Sequence, residues 1–590
     1  MSSSVRQTSR SSRGARVVAQ LGIAAFVLVL VVAAALGFVA EYSGDFHWHL
    51  ALGDWSLDNG AIYRVDTLSH TYRGARMTVS AWLGDVLLAG AYRAAGLIGA
   101  YVVRSAALLV LVTALVLDAR RAGLALLTAS ALCLLFLADA WARFYLRPET
   151  LAFAVFAVVL LMLGRARRTV RWQPRVVVIG LICLWANLHG SVAVGLLAVG
   201  LTSCEMACRR GLARDRRGAL LWLGTVVAAT LAACLSAEGV GTVLVYRMLD
   251  AGCNDQREWQ PFLLTMATEI EVLGGLAFVV SAIAALVLEP SKADIGRLAL
   301  ALALIGLTST HRRFVTVASI ACLASLASNL AVIAQHPWVV AQGDRARLVA
   351  AAGALAVFTY ATGSLAGEKV HRELSLDLAP DVYPVQACAF VRENPPPGAM
   401  LNSFDVGGFL THCLEGRAEV AIDQRVCSLY SGDFYQRYVH GTKTSEGLHT
   451  LADDLGASWI FAQYDALARA AANDPARWSL VYADDDALIY ARLDAPETAA
   501  WASSSPLRFV DPLRIRPSAV REERDAGLAL QEERCPDCGV TRLMEAVVRL
   551  AENDVDGATA ALDAMTPVQR TKLGAAESEL RQAVASHKRK

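Results

Sequence analysis

Long apolar runs recur along this 590-residue chain and restrict its fold more than any other feature. Eleven of them follow one another near residues 17–40, 98–117, 122–138, 150–164, 176–187, 191–207, 218–236, 271–288, 298–309, 314–334 and 348–365. The first is long enough to cross the ~30 Å hydrocarbon core of a bilayer as a helix. Hydrophobic residues make up 55% of the chain and charged residues 18%, a balance too apolar for soluble domains. The sequence therefore predicts a polytopic α-helical membrane protein with about eleven transmembrane helices. The run from Val17 to Ala40 follows Arg6, Arg10, Arg13 and Arg16, is too long for the apolar region of a signal peptide, and precedes no small-residue cleavage pattern. It is expected to be a retained signal anchor. The net charge of +1 says little about partners, and nothing points to nucleic acid.

Short cytoplasmic loops carry excess Lys and Arg, which gives an independent test of the threading. With the N-terminus (1–16) inside, Arg120/Arg121, the runs Arg165–Arg175 and Arg209–Arg217, Lys292/Arg297 and Arg345/Arg347 all fall on the cytoplasmic side. The same phase sends outside a first loop at 41–97, FYLRPET (144–150), ANLHG (186–190), the stretch 237–270 and THRRF (310–314). Segment 78–95, interrupted by Asp85 and Arg93, is expected as an amphipathic interfacial helix of that loop.

After the membrane domain (17–365) the composition turns polar. Residues 366–497 alternate short apolar runs such as AMLNS, AEVAID, SWIFAQ and WSLVYADDDALIYAR with helix-like PVQACAFVREN, predicting a small extracytoplasmic α/β domain. A linker (498–540) and a short helical tail (541–590) follow. The tail holds two amphipathic helices joined at Asn553–Asp556, resembling one tetratricopeptide-like hairpin. One repeat cannot bury its own face, so the hairpin is expected to pack on the chain or on a protein partner. Six cysteines fall in or beside spans, where a small core residue is the expected role. The other six, Cys253, Cys388, Cys413, Cys427, Cys535 and Cys538, lie in outer segments and permit disulfides; Cys535-Pro-Asp-Cys538 is expected as a local one.

Ionisable residues at a helix end near the bilayer are costly to desolvate and tend to mark function. Asp45 stands just after the first span, where its carboxylate could take a proton from a hydroxyl nucleophile. On a helix, His49 lies one turn from Asp45 on the same face. Asp54 and Asp58 are alternative bases, a local divalent-metal set of Asp45, His47 and His49 is a further reading, and a solvated interfacial cap competes with all of these. Arg147 and Glu149 open one span, Asn187 and His189 close another, and His311, Arg312 and Arg313 sit between two more. Guanidinium forks suit phosphate oxygens. Snorkelling to headgroups would explain each cation singly. Their convergence on the face poor in ordinary basic residues instead suggests a pocket for an anionic lipid head.

The order GDFHWHLALGDWSLDNGAIYRVDTLSHTY, WL at 82–83, LRPE, LWANLHGSVAVGLLAVGL, HRRF, NSFDVGGFL and AIDQR resembles the GT-C superfamily of polytopic glycosyltransferases, and more closely a bacterial group of dolichyl-phosphate-mannose-protein mannosyltransferase-like membrane proteins. The similarity runs from about residue 20 to 493. It implies a bacterial inner-membrane enzyme that moves a sugar from a polyprenyl-phosphate donor to an extracytoplasmic glycan, lipid or protein. By the same resemblance Asp45 is the base for inverting attack and Arg147, His189, Arg312 and Arg313 hold the lipid phosphate. No nucleotide-sugar site is implied, and no cofactor beyond an optional divalent metal. Asp66 and His70 are candidates for positioning the acceptor. Asp423 and Arg425 of AIDQR are candidates for acceptor binding or for a buried ion pair. One departure stands out: VSAWL lacks the acidic or imidazole residue expected before Trp82-Leu83. A different class of function, non-catalytic binding or transport of a polyprenyl-linked glycan with partners recruited by the outer domains, predicts a hydrophilic pathway with paired charges inside the spans. The spans read as nearly charge-free.

Overall fold

A computed structural model describes residues 2–169, 171–242, 261–263, 267–366, 378, 382–426, 428–514 and 520–587. Cys253, Cys427 and parts of the stretches 237–270 and 501–520 lie outside the described residues. The chain is a multi-pass helical membrane protein with a small C-terminal sheet domain. Each of the eleven apolar stretches coincides with a helix. Eight described helices are long and apolar enough to span a bilayer, from Arg16–Leu36 to Arg345–Leu365, and Gln173–Leu188 and Ile295–Thr310 are shorter apolar helices. Two compact units partition the chain: residues 1–43, 52–63 and 79–377, and residues 44–51, 64–78 and 378–590.

In the first unit the helix ends show why these sequences stop where they do. Pro148 starts the helix Pro148–Arg167, where its missing N–H costs nothing, and Arg165 and Arg167 sit in its last turn against the negative end of the helix dipole. A Thr268/Glu271 capping box opens Glu269–Leu288. The helix Trp82–Ala122 leaves helical geometry at Ala95 and Gly96, the latter at φ 60°, so the interfacial piece 82–94 is joined to a span through a break that glycine permits.

The basic loops gather at one end of the helices. The Arg168 guanidinium donates to the Arg121 carbonyl, Arg167 pairs with Glu205 and with Asp294 at 2.8 Å, and Arg209 donates to the Ser291 and Ala293 carbonyls at 2.6 and 2.7 Å. The spans are not charge-free, however. Arg297, expected as a basic loop marker, is buried and makes a two-pronged pair with Asp118 at 2.6 and 2.8 Å, and it also donates to the Leu160 and Ala324 carbonyls. The pair is bound into helix packing with its donors satisfied.

The second unit holds a four-stranded sheet of order β1-β2-β4-β3, with β1 Ala399–Asn402, β2 Ala457–Ala462, β3 Trp478–Ala483 and β4 Leu488–Arg492. β1 runs parallel to β2, and the other pairings are antiparallel. Alternate residues enter two different cores, as the period of two requires. Trp459, Phe461 and Ile489 pack with the helices Val385–Glu393 and Phe404–Cys413, whereas Ile460, Leu480 and Tyr490 pack with the opposite layer. A Cys388–Cys413 disulfide joins the first two helices. AEVAID differs from its strand-like appearance: it lies outside the sheet and bonds to the first loop, with His70 N donating to Val420 O and Val420 N to Leu68 O.

Residues 521–534, expected within a linker, form a helix, and Cys535–Cys538 is a disulfide at its end. The tail has three helices, Gly539–Ala551, Val555–Asp563 and Pro567–His587. It packs on the sheet domain. Asp485 accepts from the Gly539 and Val540 amides at 3.0 and 2.8 Å, Lys572 pairs with Asp486, and Leu543, Val547 and Leu562 join the core of Ile460 and Tyr490.

Candidate functional site

At the end of the first unit opposite the basic loops, the polar turns converge. Glu41, 1% exposed, accepts from the Leu146 amide at 2.6 Å, the Ser43 amide at 2.8 Å and Arg104 Nη1 at 3.2 Å. Burial pushes the Glu41 carboxyl above the usual carboxylate range, against the pull of Arg104 and the two amides. This carboxylate ties the end of the first helix to the LRPE turn. Arg147, in extended backbone before Pro148, donates from Nε to Ser43 Oγ at 2.6 Å and stacks over Tyr145 at 4.7 Å. Tyr145 in turn meets Tyr42 edge-on at 5.4 Å.

Arg143 donates to the Arg312 carbonyl at 2.8 Å, which joins the LRPE and HRRF turns. Arg143, Tyr145, Glu149, Phe153, Arg313 and Thr316 line one narrow cavity of about 10 Å³. A second, apolar cavity of about 480 Å³ lies among the helices Leu126–Ala140, Glu269–Leu288, Ile295–Thr310 and Val315–Ala334. Val315 and Ser319 face it, while Arg313 and Thr316 of the same stretch face the polar cavity, so this stretch lines both. Asp139 and Glu271 are the acidic members of its lining, and Asp139 accepts from Thr268 Oγ1 at 2.7 Å.

The ANLHG turn reaches the LRPE turn through Gly84. A Cβ there would stand 2.5 Å from Pro148 Cβ and 2.9 Å from the Leu188 carbonyl, so only glycine admits both neighbours. Asn187 accepts from Trp82 Nε1 at 2.8 Å and donates to the Cys183 and Leu235 carbonyls. His189 Nδ1 bonds Ser191 Oγ at 2.8 Å, and Ser191 also accepts from Trp185 Nε1. His311 bonds Thr310 Oγ1 at 2.9 Å and meets Phe314 edge-on.

The motif that follows the first span forms the helix Asp45–Asn59. Its later turns belong to the first unit, where Arg93 clamps Asp54 at 2.5 Å and Asp58 at 2.7 Å on an exposed face. Its first two turns belong to the second unit. There Asp45 Oδ1 accepts from Trp48 Nε1 at 3.1 Å, and His49 stacks on Trp48. His47, 3% exposed, lies between Tyr383 and Phe409 at 4.7 and 5.0 Å, and its Nδ1 has no hydrogen-bond partner among the described residues. Burial, helped by His412 at 6.0 Å, holds its pKa well below the usual 6.5. Among the described residues no three His, Cys, Asp or Glu side chains converge as a metal site would require.

Asp66, Asp423 and Arg425 form one network without exposure. Arg425 Nη1 donates to Asp66 Oδ1 at 2.7 Å, and Nη2 and Nε donate to Asp423 at 2.7 to 3.1 Å. Tyr430 OH caps Asp423, and Ser69 caps Asp66 at 2.6 Å. His70 Nε2 bonds the Met400 carbonyl at 2.9 Å, and burial lowers its pKa. Of the two roles open for AIDQR, this geometry is the buried ion pair. Glu41, Arg104 and Arg143 carry no motif in the sequence: Glu41 follows the first apolar run, Arg104 lies within the second, and Arg143 stands just before FYLRPET.

No family model matches the chain, and no curated protein matches it. Solved structures do. It is similar to the archaeal oligosaccharyltransferase AglB from Archaeoglobus fulgidus in complex with an inhibitory peptide and a dolichol-phosphate, at 11% identity and TM-score 0.58, over 96% of this chain and 86% of that one. The oligosaccharyltransferase of Archaeoglobus fulgidus in the apo form matches at 11% identity and TM-score 0.50, over 80% and 75% of the two chains. ArnT from Cupriavidus metallidurans bound to undecaprenyl phosphate matches at 15% identity and TM-score 0.49, over 80% and 98%. The chain shares its fold with these oligosaccharyltransferase structures.

Proposed function

We propose that the protein is a membrane glycosyltransferase that moves a sugar from a polyprenyl-phosphate carrier to a hydroxyl of an extracytoplasmic glycan, lipid or protein. The observation that carries this reading is an apolar cavity of about 480 Å³ in the first unit, lined by Val315 and Ser319 of the same stretch whose Arg313 stands with Arg143 at the polar turns. An amphiphile with a long apolar tail and an anionic head has that chemistry, and guanidinium forks match phosphate oxygens. The fold agrees, since AglB shares it and was solved with dolichol-phosphate.

In the proposed reaction Asp45 takes the proton of the acceptor hydroxyl, whose oxygen attacks the anomeric carbon from the face opposite the phosphate. The carbon–oxygen bond to phosphate breaks, and the electron pair leaves with the lipid phosphate. Arg143, Arg147 and Arg313 stabilise the charge that develops there. The protein sits in the bacterial cytoplasmic membrane with its N-terminus inside and its sheet domain outside.

The test is a mass-spectrometric comparison of surface glycans and glycolipids in a strain lacking the protein, complemented with wild type or with Asp45→Asn at equal membrane levels. Loss of one sugar, restored by wild type and not by Asp45→Asn, is the expected result and names the donor class. An unchanged glycan profile in the deletion strain would leave the alternative, a non-catalytic binder or transporter of the carrier lipid.

A further inference from the structure

We infer that the sheet domain is a working part of the catalytic loop: the Gly407-Gly408 pair on its helix Phe404–Cys413 and Gln424 form a cradle that positions Asp45. This rests on the proposed reading of Asp45 as the base. The two motifs concerned, NSFDVGGFL and AIDQR, lie more than 350 residues from Asp45 in sequence, yet residues 44–51 pack within the same unit as both.

The contact is backbone against backbone. A Cβ on Gly408 would stand 2.4 Å from the Gly44 carbonyl oxygen and 3.0 Å from Trp48 Cδ1. A Cβ on Gly44 would stand 2.9 Å from the Asp405 carbonyl oxygen. Two facing glycines thus let the start of the helix Asp45–Asn59 approach more closely than any side chain allows. Gln424 locks the start of this helix from the other side, accepting from the Gly408 amide at 3.0 Å and donating to the Phe404 carbonyl at 2.5 Å. Gly407 is fixed in turn, since a Cβ there would meet the Ile422 carbonyl at 2.2 Å.

Trp48 transmits the contact to the reacting group. Its indole ring lies against Gly408 and its Nε1 donates to Asp45 Oδ1 at 3.1 Å. His47, seated between Tyr383 and Phe409, pins the next step of the same helical turn. Gly408, Gln424 and Trp48 are therefore positioning residues, and Asp45 alone of this group meets substrate.

The experiment uses the full-length protein in nanodiscs and reads hydrogen–deuterium exchange of the peptide covering residues 44–51, with β2 as an internal standard of domain folding. Gly408→Ala and Gln424→Leu are each expected to raise exchange of 44–51 at least tenfold with β2 unchanged. They should also lower glycan restoration in the complemented strain toward the Asp45→Asn level. Leu448→Ala, in the core of the sheet domain and outside the cradle, should lower the melting temperature and leave glycan restoration intact. If Gly408→Ala also loosens β2, the domain has unfolded and Gln424→Leu decides. Unchanged exchange of 44–51 in Gln424→Leu would overturn the cradle. Full restoration by Asp45→Asn would instead sink the base assignment, while the exchange data still decide whether the cradle exists.

Discussion

Replacing Arg425 with leucine removes the guanidinium that bridges two buried carboxylates, Asp66 and Asp423. Asp66, Asp423 and Arg425 have no exposed side-chain surface, and four donor–acceptor contacts of 2.7 to 3.1 Å run from the guanidinium to the acids. Breaking a buried pair by removing one partner costs about 3–5 kcal/mol, because the remaining charge stays desolvated without compensation. A domain of this size shifts by roughly 2–4 °C per kcal/mol, so Arg425→Leu should lower the sheet domain's transition by about 6–20 °C. Arg425→Lys keeps the charge and loses the fork that serves both acids at once, and should fall between wild type and leucine. The assay is intrinsic tryptophan fluorescence during heating of the full-length protein, followed by glycosyl transfer at a temperature where both variants remain folded. A transition within 2 °C of wild type would refute the buried-network account. A large loss of transfer in the folded variant would favour the acceptor-binding role instead.

Three further outcomes follow from the geometry. Glu41→Gln leaves buried Arg104 without its carboxylate and should cost about 3–5 kcal/mol, read as a lower melting temperature and faster proteolysis near the LRPE turn. His47 is held neutral below its usual 6.5, so the unfolded chain takes up the proton first as pH falls. Stability should therefore drop below pH ~6.5 by up to about 1.4 kcal/mol per unit, and His47→Phe should flatten that part of the curve, measured as the difference between the two melting profiles. Arg313→Ala should raise the KM for a polyprenyl-phosphate donor about 10–100-fold, the loss of one charged hydrogen bond worth about 1.5–3 kcal/mol; an unchanged KM would remove Arg313 from the phosphate site.

Helices were legible because hydropathy is local: each apolar stretch marks a helix, although eight described helices and not eleven are long and apolar enough to span, and the arginine runs at 120–121, 165–175 and 209–217 sort by end as the loop rule expects. The long-range ion pairs were not. Arg297 reads as a loop arginine until Asp118, 179 positions away, is placed beside it, and Arg425 meets Asp66 across 359 positions. AEVAID misleads in the same way, since its alternation is satisfied by contact with residues 68–70 instead of by a sheet neighbour. The candidate base shows the limit most sharply. The sequence places Asp45 next to a span, and that position alone invites an interfacial cap. What distinguishes it is the company it keeps in the fold, a helix start pressed against Gly408 and Gln424, with His47 sunk among aromatic rings. A solvated cap needs neither a glycine-to-glycine approach nor a buried imidazole with an unpartnered nitrogen. Such a cost is what the proposed role of Asp45 requires, since a base must be held in one place.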